Sequence, residues 1–227
     1  MRRKVALMSY FNTIIEWEGV VVDVRARYWM AHKTAVAKVG YDGPTEDEFW
    51  RLLKTGAADG QMVRFGREGK VTDYACMRDE YLRSNELMVK DELLPTVWEN
   101  LLVLKRLGGC HLVTLCPNIE GVNAALNRLD VWMNFDQKRA LPADRERRKQ
   151  ILKDMAGGQR RTLVVAGTVP LAYAAADAGL AVVGMKTGLA FPQRMRQVGV
   201  DLFFETLDEL TEAMTRHDPQ LERLGVL

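Results

Sequence analysis

Few of the features that mark specialised protein classes are present in this sequence of 227 residues. Its three cysteines, Cys76, Cys110 and Cys116, are odd in number, far apart and without a C-x-x-C pair. That argues against a disulfide framework or a zinc site and suits a reducing cytosol. No apolar run approaches the roughly 20 residues needed to cross a bilayer. The N-terminal MRRKVALMSYFNTIIEWEG opens like a secretory signal, but Ser9, Asn12 and Thr13 break its apolar run and Glu16 follows. Acids and bases nearly balance, leaving a formal net charge of +2, so nucleic acid and anionic membranes find no electrostatic footprint. His32, His111 and His217 lie far apart without ligand-like spacing. There is no internal repeat and no low-complexity tract. What is there is apolar material, 48% of the residues, enough for the core of one domain or of one domain with a modest insertion. The expectation is a soluble cytoplasmic protein.

Residues 5–15 read as a strand, with Val5–Met8 and Thr13–Ile15 supplying buried-strand chemistry, and Glu16-Trp17-Glu18-Gly19 at its end. From Arg25 to about Thr96 the texture is helical. Gly40 is placed to cap the C-terminus of a first helix, and Thr45 the N-terminus of a second, with Glu48 completing a capping box. After Pro95, helices and apolar strands alternate. A helix ends at the Gly108-Gly109 pair, CHLVTLC is a strand, and 118–129 is a helix followed by a loop through Phe135 and Asp136. A basic helix over Asp144–Met155 precedes TLVVAG, PLAYAAADAG, LAVVGM, a helix near PQRMRQVG, DLFFET and LDELTEAM. Such alternation indicates an α/β fold, a Rossmann-like parallel sheet with helices on both faces, here with an inserted helical cap. The expected division is a core of residues 1–24 and 97–227 and a cap of 25–96. Ligands of open parallel sheets bind beyond the carboxyl ends of the strands, which directs attention to Glu16–Gly19, Thr114–Asn118, Ala166–Leu171 and the start of the basic helix.

Three of these strand ends carry a resemblance. IIEWEGVVVD resembles the first motif of the haloacid dehalogenase-like superfamily, usually FDLDGTLVD. LVTLCPNIEGVNAALNRLDV resembles the second, a strand ending in Thr or Ser before a helix, and VVAGTVPLAYAAADAGLAVVGM the fourth, usually VGDSxxDxxAAxAAGxxxVGV. The helical insertion after the first motif is similar to the cap of the phosphoglycolate phosphatase and β-phosphoglucomutase branch. In that family one Asp attacks phosphorus, a second is general acid and base, and Mg²⁺ is held with help from fourth-motif acids. Carried over by position, the resemblance implies Glu16 as nucleophile, Glu18 as acid/base, and Thr114 and Thr168 as phosphate contacts. The acids of the fourth motif fall at Gly167 and Leu171, which cannot bind a metal. For the third-motif lysine the basic run offers Lys138, Arg139, Arg145, Arg147, Arg148 and Lys149, with Arg145 and Lys149 taken as phosphate-binding.

Two functions follow. One is a catalytically silent or strongly impaired phosphatase-like protein, keeping an anion pocket in a binding or regulatory role, with no cofactor. The other is a hydrolase of a small phosphorylated metabolite using Glu16 and Glu18, and only this one calls for Mg²⁺, with Glu16 as its remaining ligand. Replacing Asp by the longer Glu misplaces a nucleophile by more than the 1 Å or so that can cost about a hundredfold in rate. Losing the metal forfeits the charge stabilisation on which phosphoryl transfer depends. Restoring acids at 16, 167 and 171 is expected to rebuild metal affinity. Partners are a small phosphorylated molecule or an unknown protein. The run Arg145–Lys149, with Arg160 and Arg161, is either a solvated helix face or a site for a phosphorylated ligand or acidic partner. Cys116 is a strand-end thiol, more simply structural than nucleophilic. The segment LLKTGAADGQMVRFG, with Arg64 and nearby Arg67, is either a substrate-facing loop or a mere connection.

Overall fold

The computed structural model describes residues 11–63, 68–158 and 161–225. In chain order these form β1 (Phe11–Glu16), β2 (Val22–Asp23), α1 (Arg25–Val39), α2 (Glu46–Thr55), α3 (Asp59–Met62), α4 (Glu68–Leu82), α5 (Asn85–Met88) and β3 (Glu92–Leu93). Next come α6 (Val97–Leu107), β4 (Gly108–Thr114), α7 (Ile119–Arg128), a 3₁₀ turn (Trp132–Asn134), β5 (Gln137–Ala140), α8 (Arg145–Ala156) and β6 (Thr162–Ala166). The chain closes with α9 (Val169–Asp177), β7 (Ala181–Met185), α10 (Pro192–Arg196), β8 (Phe203–Phe204), α11 (Leu207–Thr215) and α12 (Pro219–Arg223).

Six strands make one sheet in the order β5-β4-β1-β6-β7-β8, every neighbour parallel. β1 lies inside it, with Ile14 beside His111 on one flank and Val164 on the other. Side chains of a strand alternate between faces, and the two faces bury separate clusters. Ile15, Trp17, Leu112, Leu163 and Val183 pack on one, and Ile14, Val113, Val164, Ala166 and Leu171 on the other. Glu16 shares the parity of Ile14, so it points to the face covered by α8 and α9. This parity decides the chemistry of the site.

Helices α1–α5 depart after β2 and return through β3, which pairs antiparallel with β2. They pack around Val36, Phe49, Met62 and Tyr74. Gly40 ends α1 in the left-handed conformation that favours glycine, and Thr45 with Glu48 forms a capping box at α2. Both follow from local sequence.

Several expectations change. The loop expected after Asp136 contains β5, an edge strand whose QKRA sequence lacks any apolar signal and alternates exposed with half-buried residues. Lys138 and Arg139 therefore lie on a strand. Gly108 ends α6 as its C-cap, as expected, with its N–H on Leu104 O, and with Gly109 it also begins β4 without an intervening loop; a Cβ on Gly109 would stand 2.4 Å from Asn12 Oδ1. DLFFET contributes only Phe203–Phe204, and α12 was not foreseen. Val5–Met8, Arg64, Arg67 and Arg160 lie outside the described residues.

Candidate active site

The carboxyl ends of β1, β4 and β6 converge, and each presents an oxygen-bearing side chain. Glu16, the last residue of β1, is fully buried and reaches toward the β6–α9 turn. Its Oε2 accepts hydrogen bonds from the backbone N–H groups of Gly167 (2.7 Å) and Thr168 (2.9 Å). Its Oε1 lies 2.7 Å from Thr168 Oγ1, which also caps α9 by accepting from Leu171 N at 3.4 Å. Free N–H groups at a helix start attract anions. Here that attraction is met by a side chain of the same protein.

Beyond Glu16 the chain turns sharply, with Val21 N and Val22 N both donating to Trp17 O and Gly19 in the left-handed region at φ 71°. The turn sends Glu18 the other way, toward β4. Its Oε1 accepts from Thr114 Oγ1 at 2.5 Å and its Oε2 from Leu115 N at 3.4 Å. Thr114 Oγ1 in turn accepts from Cys116 N at 3.0 Å. Each threonine assigned by resemblance to phosphate is thus held by one of the two glutamates.

Burial, and after it the charge of Glu18, pushes the Glu16 carboxyl up to about 8, against the lowering effect of its bonds to Thr168 and Gly167. At neutral pH it is mostly protonated. Because Oε2 already receives two N–H donors, the proton belongs on Oε1, facing Thr168 Oγ1.

The space that fourth-motif acids would need is closed by backbone. Gly19, Gly167 and Gly188 pack against one another: a Cβ on Gly167 would meet Glu18 O at 2.6 Å, and one on Gly188 would meet Gly167 O at 2.2 Å. Leu189 N donates to Gly167 O at 2.7 Å, and Thr187 Oγ1 donates to Gly19 O at 2.6 Å. Leu171 is fully buried in the core. Mg²⁺ takes nearly octahedral oxygen ligands, usually including carboxylates. Among the described residues, no group of three or more His, Cys, Asp or Glu side chains could hold a metal ion, and Glu16 has its oxygens engaged. These residues do not fit the ion.

The two basic residues assigned to phosphate do not join the site. Arg145 pairs with Asp177 at 3.1 Å and Lys149 with Asp177 at 3.4 Å and Glu146 at 3.7 Å, because α8 turns that stripe toward α9 and solvent. Lys138 stacks over Trp132 at 3.9 Å, and Arg139 and Arg147 are exposed. Arg148 comes nearest in role. Burial lowers its pKa while the Glu16 carboxyl opposes the shift, and its guanidinium donates to the carbonyls of Pro142, Ala143 and Pro170. Cys116 is buried, which raises its thiol pKa.

Sequence reading missed Arg27 and Asp91. They form an ion pair at 3.0 Å with side-chain exposures of 2% and 0%, where α1 leaves and β3 returns. Arg27 Nη1 donates to Leu82 O at 3.2 Å, and Trp17 Nε1 to Asp91 Oδ2 at 3.4 Å. No periodicity links two residues so distant in sequence. Beside them, Glu18, Arg27, Tyr28, Arg83, Cys116 and Pro117 line a cavity of about 170 Å³. Asn118 Nδ2 binds Arg83 O at 2.6 Å on this flank. On the other, Phe191 N donates to Lys54 O at 3.2 Å, so the helical segment is fastened over the strand ends at both sides.

No protein-family model matches the chain, and neither does any curated protein. Solved structures do. A haloacid dehalogenase-like family hydrolase from Streptococcus pneumoniae superposes with a TM-score of 0.75 at 11% identity, covering 92% of this chain and 100% of that one. A predicted phosphoglycolate phosphatase from Haemophilus somnus 129PT gives 0.71 at 18% identity, with 92% and 100% covered. A predicted phosphatase from Clostridium acetobutylicum gives 0.72 at 15%, with 91% and 99% covered. At these identities the likeness establishes the fold, which is haloacid dehalogenase-like.

Proposed function

We propose that this haloacid dehalogenase-like fold serves as a binding or regulatory module of phosphatase type whose own catalysis is silent or strongly impaired. The observation that carries the reading is the capture of the Gly167 and Thr168 amides by Glu16. A protonated carboxyl is a poor nucleophile, and this one is turned into the β6–α9 turn with its acceptor oxygen already spent on two N–H groups. The anion site at the start of α9 is filled from within, and the glycine packing leaves no room for a metal-binding acid. On this reading Thr114 and Thr168 orient the two glutamates instead of a phosphate. Residues 25–96 act as a cap held shut over a retired site, and recognition falls to a protein partner. Three free cysteines support a reducing, cytoplasmic setting. Among the described residues no helix is long and apolar enough to cross a membrane.

The alternative, hydrolysis of a small phosphorylated metabolite by Glu16 and Glu18, draws support from the place of Glu18 on the 170 Å³ cavity. It requires Glu16 to leave three hydrogen bonds before it can attack. Calorimetry with inorganic phosphate separates the two. If Glu16 plugs the site, the wild type takes up no phosphate, and Glu16→Ala, which frees two N–H groups and the Thr168 hydroxyl, gains saturable binding. Phosphate binding by the wild type that is lost in Glu16→Ala would overturn the reading.

A further inference from the structure

The basic run has a second half that the strand-end site does not use. Arg145 and Arg148 on α8 face Arg194 on α10 across a groove of about 350 Å³. Its floor is apolar, made by Val169, Pro170, Ala174 and Val198, and Tyr173 forms one wall at 39% exposure. The cations are held in place in advance. Arg145 stacks on the Tyr173 ring at 4.2 Å while bonding Asp177, and Arg148 is pinned by three backbone carbonyls. Arg194 lies against Gly56 at the end of α2, where a Cβ would meet its Cζ at 2.2 Å. Counting Lys149, four cations face three acids, Asp144, Glu146 and Asp177, so the rim keeps one positive charge in excess. Glu16, behind Arg148, is mostly protonated at neutral pH.

We propose that this groove docks a short acidic segment of a partner protein, with an apolar side chain seated against Val169, Pro170 and Val198 and its flanking carboxylates held by Arg148, Arg194 and Arg145. The rim charge calls for carboxylates, and the apolar floor beside an exposed tyrosine calls for an aliphatic or aromatic anchor. Arginine and tyrosine are the residues enriched at binding hot spots. A nucleic acid fits less well, because phosphates need a basic stripe along a face, whereas this groove is short, apolar-floored and part of a chain of net charge +2. Because rigid donors lose little freedom on binding, the pinned arginines favour a specific ligand over diffuse attraction. The contact of Arg194 with Gly56 also joins the groove to the helical segment over the strand ends. The docking inference goes beyond the silent-site reading and stands if residual turnover is found.

The test is fluorescence anisotropy on the full chain, with a labelled synthetic peptide of Asp and Glu residues flanking a central Leu-Phe pair. Saturable binding that weakens as salt rises is expected. Tyr173→Ala and Arg194→Gln should each weaken it at least about tenfold with little change in melting temperature, a size usual for hot-spot residues. Arg139→Gln, on the exposed edge strand, should leave it unchanged. If Arg194→Gln loosens the fold, Tyr173→Ala decides. Four results would each overturn the proposal: no saturation, equal binding of an all-acidic peptide without the apolar pair, tighter binding of an oligonucleotide, or undiminished binding by the groove variants.

Discussion

Glu16→Gln turns the buried carboxyl into a measurable quantity. In the folded chain this group titrates near 8, against 4.5 for an ordinary glutamate. Between those values the folded state keeps a proton that the unfolded state has lost, so stability falls as pH rises, by about 1.4 kcal/mol per pH unit. Across the whole span the loss is on the order of 5 kcal/mol, a large part of the stability of a typical domain. Above about 8 both states are ionised and the slope disappears. Glutamine mimics the protonated form: its carbonyl can accept from Gly167 N and Thr168 N, and its amide can donate to Thr168 Oγ1. The variant should therefore lie within about 1 kcal/mol of the wild type at pH 5, the usual scale of one altered hydrogen bond. At pH 8 it should be more stable by several kcal/mol. Urea unfolding of both proteins between pH 5 and 9 reads the difference directly. Parallel stability curves, or a variant weaker at pH 8, would show that Glu16 is not a buried neutral acid and would refute the reasoning.

Other substitutions test the packing around it. Gly167→Asp forces a Cβ to 2.6 Å from Glu18 O and should cost at least about 2 kcal/mol in thermal or chemical unfolding, as overpacking against backbone does. Adding Leu171→Asp places a carboxylate where Leu171 is fully buried. The triple variant with Glu16→Asp is thus expected to unfold instead of regaining metal affinity, and a folded variant binding Mg²⁺ in calorimetry would contradict this. Arg27→Met strands Asp91, whose carboxyl burial already pushes up to about 7 despite Arg27; the cost should be about 3–5 kcal/mol above that pH and less in acid, where Asp91 protonates. Arg27→Met with Asp91→Leu should recover most of the loss, and urea unfolding that finds the pair no better than the single change would argue against an essential ion pair.

Much of the fold was legible because its signals are local. Apolar runs such as TLVVAG and LAVVGM marked interior strands, and Thr45 with Glu48 announced a helix start through the spacing that lets each side chain cap the other's backbone. The edge strand β5 escaped because a solvent-facing strand needs no apolar pattern. In the candidate site, order along the chain points to the strand ends, where the structure pairs Glu18 with Thr114 and Glu16 with Thr168. The partners of these residues could not be read. Glu16 meets the Gly167 amide across 151 residues of sequence, and a backbone N–H leaves no trace in residue identity. Gly167 looked like a lost acid, whereas the structure shows a glycine demanded by the close approach of Glu18 O and Gly188. The basic run offers Arg145 and Lys149 for the third-motif lysine, but the rotation of α8, which sequence does not reveal, turns both toward Asp177.

The most direct measurement is turnover of p-nitrophenyl phosphate and acetyl phosphate by the purified chain, with and without Mg²⁺, for wild type and Glu16→Gln side by side. A plugged site predicts no rate above buffer for either protein under either condition. Mg²⁺-dependent turnover by the wild type that disappears in Glu16→Gln would contradict it and restore Glu16 as a working nucleophile.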